Sequence, residues 1–262
     1  MFKKVLVANR GEIAVRILRT LRELGIQSVA VYSEPDAHAS HVWTADEAVL
    51  IGPALARESY LNISQILDAA QKTGAQAIHP GYGFLSENAA FAEACARAGI
   101  VFIGPTAASM KKLGDKRAAR EIARHLGVPT VPGLNECDTS EQIHRAARHI
   151  GLPVLLKASA GGGGKGMRLV QNENELDEAI QASQREAQAA FGDARLMVEK
   201  LVKPARHIEV QFLGDAHGNV IALGERECSL QRRYQKIIEE SPSQAVSPVL
   251  REKIQEATCR LA

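Results

Sequence analysis

The sequence predicts an α/β protein that opens with a doubly wound parallel sheet and continues into a second α/β domain. Three observations carry that expectation. In the first third, short apolar runs alternate with amphipathic helical stretches, the pattern of parallel strands joined by crossover helices that cover both sheet faces. The run GVPTVPG at 127–133 then punctuates the chain as a boundary would. Beyond it, Gly161, Gly162, Gly163 and Gly164 sit between two strand-like segments.

The elements follow in order. Residues 4–8 (KVLVA) form the first strand and Asn9-Arg10-Gly11 a turn. Glu12 opens a helix whose Ile13, Ile17, Leu21 and Leu24 recur on one stripe, and Gly25 closes it. A strand at 28–32, a polar segment with Asp36, His38 and His41, and an apolar piece at 48–51 come next. A helix over 59–72 ends at Gly74, a short strand covers Ala77 and Ile78, a helix runs over 87–98 and a strand over 100–103. The run HPGYGFLSEN (79–88) follows the strand carrying Ile78, and loops at the carboxyl ends of parallel strands are where such sheets bind ligands. By itself this run reads first as a rigid turn in which Ser86 or Glu87 helps to start the next helix.

Helical sequence over 110–126 is interrupted at Gly114-Asp115-Lys116, and another helix spans 140–149. The run PVLLKASAGGGGKGMRLV (153–170) then places Lys157 at the foot of a glycine loop. Glycine reaches positive φ and lets a ligand approach the backbone. Lys157, Lys165 and Arg168 make the same loop electropositive, which suits a polyphosphate. It is not a P-loop: Ser159 stands where the first glycine should be, and Gly166 follows Lys165 in place of Ser or Thr. Gly161, Gly163 and Gly166 fit G-x-G-x-x-G, but the alternating MRLV at 167–170 is a strand, not the helix that a dinucleotide fingerprint needs. A kinase-type loop fails too, because Lys157 precedes the glycines and no H-R-D or D-F-G follows. What remains is a β-hairpin with a glycine tip.

Asn172 and Glu175 read as cap and partner of a helix to about residue 190, and 195–201 as a strand containing Glu199. In RHIEVQF (206–212), Ile208, Val210 and Phe212 fall on one strand face and His207, Glu209 and Gln211 on the other. A turn at 215–219 and a strand over 220–224 lead into ERECSLQRRYQK (225–236), whose Arg226, Arg232, Arg233 and Lys236 follow the polar face closely; such a density of cations usually serves an anion. Ser247-Pro248 begins a helix through Leu250, Ile254, Ala257 and Leu261 that meets Ala262 uncapped, as a truncated chain would.

Composition narrows the function classes. With 262 residues, 45% hydrophobic and 24% charged, the chain has room for a sizeable core. A net charge of +2 and 4% aromatics argue against a general nucleic-acid surface or a stacking platform. There is no apolar run of membrane-spanning length and no signal-peptide pattern at the start, and Cys95, Cys137, Cys228 and Cys259 lack metal or disulfide spacing. No membrane or nucleic-acid partner is expected, and the expected compartment is the cytoplasm, with the mitochondrial matrix as the other reducing setting.

Taken together, NRGEIA (9–14), HPGYGFLSEN (79–88), GDK (114–116), KAS (157–159) before the glycine loop and ECSLQRR (227–233) resemble the biotin carboxylases, the ATP-grasp component of acetyl-, propionyl- and methylcrotonyl-CoA carboxylases and of pyruvate carboxylase. The resemblance covers essentially the whole chain. It implies a Rossmann-like, pre-ATP-grasp domain over 1–113 and an incomplete ATP-grasp domain over 114–262, with a lid over about 131–203 and the start of a C-terminal subdomain over 204–262. It implies a ligase that carboxylates biotin with ATP and bicarbonate, through carboxyphosphate. Lys116 and Lys157 match lysines on the nucleotide phosphates, Gly163 and Gly164 the closing hairpin tip, and Glu199, Lys200, Leu201 and Val202 the hinge that holds adenine. His207 and Tyr234 match nucleotide-site positions, though many relatives carry histidine at the latter. Glu209 matches an active-site carboxylate and Lys236 a lysine near bicarbonate. Mg2+ or Mn2+ is the implied cofactor, its ligands expected beyond residue 262, so turnover by this stretch alone is not expected. The implied partners are a biotin carboxyl carrier, a carboxyltransferase and a second copy, with Arg16, Arg19 and Glu23 resembling a dimer contact. Two other readings stand beside this one: a different ATP-grasp ligase, such as a carbamoyl-phosphate synthetase, and a non-catalytic nucleotide-binding or dimerisation module.

Overall fold

The structure is a computed structural model of the 262-residue chain; it describes all residues except 115, 160–166, 216, 233 and 234, and the side chains of 113, 116, 117 and 136 are likewise outside the described residues. Two compact units divide it, Met1–Gly114 and Asp115–Ala262. The turn-forming run at 127–133 lies inside the second unit.

The first unit contains β1 (Lys4–Val7), α1 (Gly11–Glu23), β2 (Gln27–Ser33), α2 (Ser40–Thr44), β3 (Glu47–Gly52), α3 (Ile63–Thr73), β4 (Ala77–His79), α4 (Ala89–Arg97), β5 (Val101–Phe102) and α5 (Ala107–Gly114). Its five strands are parallel in the order β3-β2-β1-β4-β5, the doubly wound sheet that the alternation predicted. Leu6, Val29 and Ile78 from the strands and Ile66 and Phe91 from α3 and α4 are fully buried in one core, Val5, Val7 and Leu18 in the core on the other face. Each such side chain contributes roughly 1.5–3 kcal/mol by leaving water. Helix α3 starts four residues later than the periodicity suggested, because Asn62 caps it by accepting from the Gln65 N–H and the preceding turn buries Tyr60. Asn88, not Ser86 or Glu87, caps α4 by accepting from the Phe91 N–H.

The second unit contains α6 (Lys116–His125), β6 (Gly133–Cys137), α7 (Ser140–Ile150), β7 (Val154–Ala158), β8 (Arg168–Val170), α8 (Leu176–Phe191), β9 (Leu196–Lys200), β10 (Ile208–Gly214), β11 (Val220–Arg232), β12 (Gln235–Glu240) and α9 (Pro248–Leu261). Four antiparallel strands in the order β6-β9-β7-β8 carry the predicted hairpin, with Val154 opposite Val170 and Leu156 opposite Arg168. Ile143 and Ala147 of α7 and Leu176 and Ile180 of α8 pack over Val154, Leu156, Leu196 and Val198. A capping box holds the start of α7, in which Thr139 and Gln142 bond each other's backbone N–H. Among the described residues no helix is long and apolar enough to cross a membrane.

The third sheet, β10-β11-β12, is antiparallel throughout. Its register slips between Val210 and Phe212: Gln211 on β10 faces both Leu223 and Gly224 on β11, and Gly224, at φ +101°, takes up the extra residue. That slip sets the register of the charged side chains on β11. Arg226 stands opposite Glu209, while Glu225 and Glu227, one residue to either side, alternate onto the other face.

That other face is a buried polar cluster. Glu225 is paired with Arg251 of α9 at 2.7 Å, and Glu227 accepts from Arg206 at 2.9 Å and from the hydroxyls of Ser229 and Ser243. These hydrogen bonds, the Ser243 and Ser229 hydroxyls first, pull the Glu227 carboxyl from the ordinary 4.5 to about 2. A carboxylate depressed on folding stabilises the protein fully above its unfolded value and loses that contribution as pH falls through its folded one. Acid titration of unfolding is therefore expected to show stability falling from about pH 4.5 towards 2. Glu227→Gln should flatten that part of the curve; an unchanged slope would contradict the assignment.

Candidate functional site

In the first unit the two sequence motifs meet. The buried Asn9 side chain donates to the Pro80 carbonyl at 2.8 Å and the Tyr82 carbonyl at 2.7 Å, so the turn after β1 pins the loop after β4. Strands β1 and β4 are neighbours at which the chain reverses direction across the sheet, the switch point where open α/β sheets form a crevice. Gly81 is required there: its φ is +65°, and a Cβ would stand 2.8 Å from the Asn9 amide nitrogen. Arg10 pairs with Asp36 at 3.0 Å and lies over the rings of Tyr60 and Phe84, 5.1 and 5.6 Å from their centroids. His79 accepts the Gly81 N–H on Nδ1 at 3.1 Å, and burial lowers its pKa, so the ring stays neutral.

Among the described residues of the second unit, two ionic clusters gather predicted site residues. The first lies on the four-stranded sheet. Lys157 from β7 contacts the Glu199 carboxylate from β9, and Arg120 from α6 approaches the other oxygen at 3.1 Å. Arg120 is 7% exposed and Glu199 16%, so this is a desolvated pair with a lysine at its edge. Arg120 also donates to Asn135 at 2.8 Å and to the Val131 carbonyl at 2.6 Å. Gly133 admits it, since a Cβ there would lie 3.0 Å from the guanidinium and 2.5 Å from the Val198 carbonyl. The rest of the predicted hinge is largely tied to the protein itself. Lys200 points away from Lys157, donating to the Gly151 and Leu152 carbonyls at 2.8 and 3.1 Å, and its backbone N–H goes to Pro132. The Leu201 N–H bonds the Pro153 carbonyl, and Val202 is exposed.

The second cluster lies on the three-stranded sheet. Glu209 from β10 is gripped by Arg226 from β11, at 2.6 and 2.7 Å, and contacts Lys236 from β12. Glu239 completes the group, 3.5 Å from Arg226 and 3.8 Å from Lys236. His207 shares the face: Gln231 donates to its Nδ1 at 2.7 Å, which leaves Nε2 facing Glu209 at 3.9 Å. Burial pushes the Glu209 carboxyl up, but the hydrogen bonds from Lys236 and Arg226 outweigh it, and its pKa lies below the ordinary carboxylate value. The bond to Glu209 in turn raises Lys236 and Arg226, so all three stay charged at neutral pH.

Of the predicted site residues, the structure thus joins Lys157 to Glu199 in one cluster and His207, Glu209 and Lys236 in another. Lys116 begins α6 with its side chain outside the described residues, and Gly163, Gly164 and Tyr234 lie outside them altogether. Two members were not singled out from sequence. Arg120 reads as one of many surface cations in KRAAREIARH, and only its spacing from the buried Ala123 marks the inward face. Glu239 sits on β12, which the charge run before it concealed.

Mg2+ takes hard oxygen ligands in octahedral array. Among the described residues, the one group of three potential ligand atoms within reach of one another is Glu209, Cys228 and Glu239. It does not suit that ion: two bound cations already neutralise Glu209, and burial raises the Cys228 thiol, a soft donor.

Residues 1–110 match the biotin carboxylase N-terminal domain family, and residues 115–262 match the ATP-binding domain of the carbamoyl-phosphate synthase L chain. Biotin carboxylase 1 of Bacillus subtilis is 51% identical over 263 residues, a match that takes in 100% of this chain and 58% of that protein. The crystal structure of the biotin carboxylase–beta-gamma-ATP complex from Campylobacter jejuni superposes with a TM-score of 0.96 at 48% identity, covering 100% of this chain and 59% of that one. The biotin carboxylase domain dimer of Hydrogenobacter thermophilus 2-oxoglutarate carboxylase, solved with MgADP, ADP and bicarbonate, superposes with a TM-score of 0.93 at 50% identity, over 100% of this chain and 58% of that one. The chain therefore spans a little under three-fifths of these relatives. The order of its two domains and the continuous match along its whole length make this chain a member of the biotin carboxylase family.

Proposed function

We propose that the protein is an ATP-dependent ligase that carboxylates biotin on a carrier protein, and that this stretch supplies its nucleotide lid and part of its bicarbonate site. The observation that carries the reading is the grouping of Glu209, Lys236, Arg226 and His207 on one sheet face: two cations beside an ionised carboxylate form a polar surface for a small anion. The similarity to structures holding ATP-type ligands and bicarbonate supports it. In this reading a bicarbonate oxygen attacks the γ-phosphorus of ATP, the bond to the ADP oxygen breaks, and carboxyphosphate forms; its C–O bond to phosphate then breaks, the ureido nitrogen of biotin takes the carboxyl group as it gives up its proton, and inorganic phosphate leaves. Phosphoryl transfer needs positioning and charge stabilisation above all. Lys157 and Lys116 would meet the phosphates, the Gly163–Gly164 tip would close over them, and the segment from Glu199 to Val202 would hold the base. Mg2+, when bound, neutralises phosphate charge; the described residues offer it no suitable site. We further propose a border between the domains near residue 113, a homodimer using Arg16, Arg19 and Glu23, and, for the whole enzyme, a carrier and a carboxyltransferase as partners in the cytoplasm or the mitochondrial matrix.

Calorimetric titration of the full-length protein with ATP tests the nucleotide assignment. Lys157→Ala removes one charge-assisted contact, so affinity is expected to fall by about 10- to 100-fold. Lys203→Ala, outside every cluster described, should leave it unchanged. Equal affinities for wild type and Lys157→Ala would refute the assignment.

A further inference from the structure

Four side chains, Glu209, Arg226, Glu239 and Lys236, alternate in sign and close on themselves. Arg226 touches Glu209 at 2.6 Å and Glu239 at 3.5 Å; Lys236 touches Glu209 and reaches Glu239 at 3.8 Å. Each carboxylate thus has two cations and each cation two carboxylates. The two cations differ in how they are held. Arg226 stands directly across the ladder from Glu209 and binds it through both Nε and Nη2, whereas Lys236 is a point charge on a flexible stem. All four are partly exposed, so an incoming anion can reach the ring without the sheet opening.

This geometry has a consequence for an anion that binds Lys236. The ammonium must leave Glu209 at least in part, and a half-buried carboxylate stripped of its only cation would pull it back. With Arg226 present, Glu209 keeps a partner throughout. We propose that Arg226 is a positioning residue that holds Glu209 while Lys236 turns to the bound anion, with Glu239 completing the ring. The inference rests on the reading of Lys236 as the bicarbonate lysine. It assigns no bond-making step to Arg226.

Steady-state kinetics of the full-length protein test it. Arg226→Met should raise KM for bicarbonate by about tenfold or more, the loss of one charged partner, while KM for ATP stays within about twofold. Arg226→Lys should recover part of the loss. In a Glu209→Gln background, where no carboxylate competes for Lys236, adding Arg226→Met should leave the bicarbonate KM nearly unmoved, because coupled residues are not additive. Equal shifts in both KM values, a lower melting temperature with unchanged kinetics, or full additivity with Glu209→Gln would each overturn the proposal. If Lys236→Ala itself left the bicarbonate KM unchanged, the reading beneath the proposal would fall, and the proposal with it; a Lys236 effect without an Arg226 effect would remove the proposal alone.

Discussion

Lys236→Ala is expected to lower bicarbonate-dependent ATP cleavage by about 10²- to 10³-fold, the scale found when one preorganised donor to a developing charge is removed. Lys236 is the one cation of the ring on β12, and its ammonium already lies against Glu209, beside His207. Truncation removes the mobile cation and leaves Glu209 to Arg226 alone, which keeps the carboxylate paired and the sheet intact. The loss should therefore appear in the bicarbonate kinetics and hardly in the unfolding midpoint. An equal fall in stability would mean that Lys236 serves the fold.

The second large effect is on stability. Glu199→Ala is expected to cost about 3–5 kcal/mol in denaturant unfolding, because breaking a desolvated ion pair from one side strands the other charge. Arg120, 7% exposed, would keep Asn135 and the Val131 carbonyl but lose its only carboxylate contact among the described residues, and Lys157 would lose one too. Replacing both charges, as in Arg120→Met with Glu199→Leu, should cost markedly less than Glu199→Ala alone. A single-mutant cost below about 1 kcal/mol, the range of an exposed pair, would show the cluster to be solvated.

These effects hinge on residues that differ in how readable they were. The glycine hairpin was legible because its strands announce themselves on either side of the loop: Val154 pairs with Val170 as the apolar pattern implied. The parallel sheet was legible for the same local reason, and so was the polar face of β10 with His207 and Glu209. Arg120 was not, since its carboxylate comes from β9 some eighty residues away and helical spacing cannot name a partner across elements. Arg226 was visible as a cation but not as the partner of Glu209, because that depends on the one-residue slip at Gly224. The hinge shows the limit from the other side. The resemblance gave Glu199 to Val202 a backbone role, and the structure adds that Glu199 is also the counter-ion of Lys157 and Arg120.

In the proposed function the cluster of Lys157 and Glu199 serves ATP and the cluster of Glu209 and Lys236 serves bicarbonate in biotin carboxylation. Release of ADP by the full-length protein, followed with biotin present and bicarbonate added or withheld, tests it most directly. ADP release is expected to require bicarbonate, to rise with biotin and to collapse in Lys236→Ala. Release that ignores bicarbonate and biotin, or that depends on ammonia as a carbamoyl-phosphate synthetase would, would contradict it.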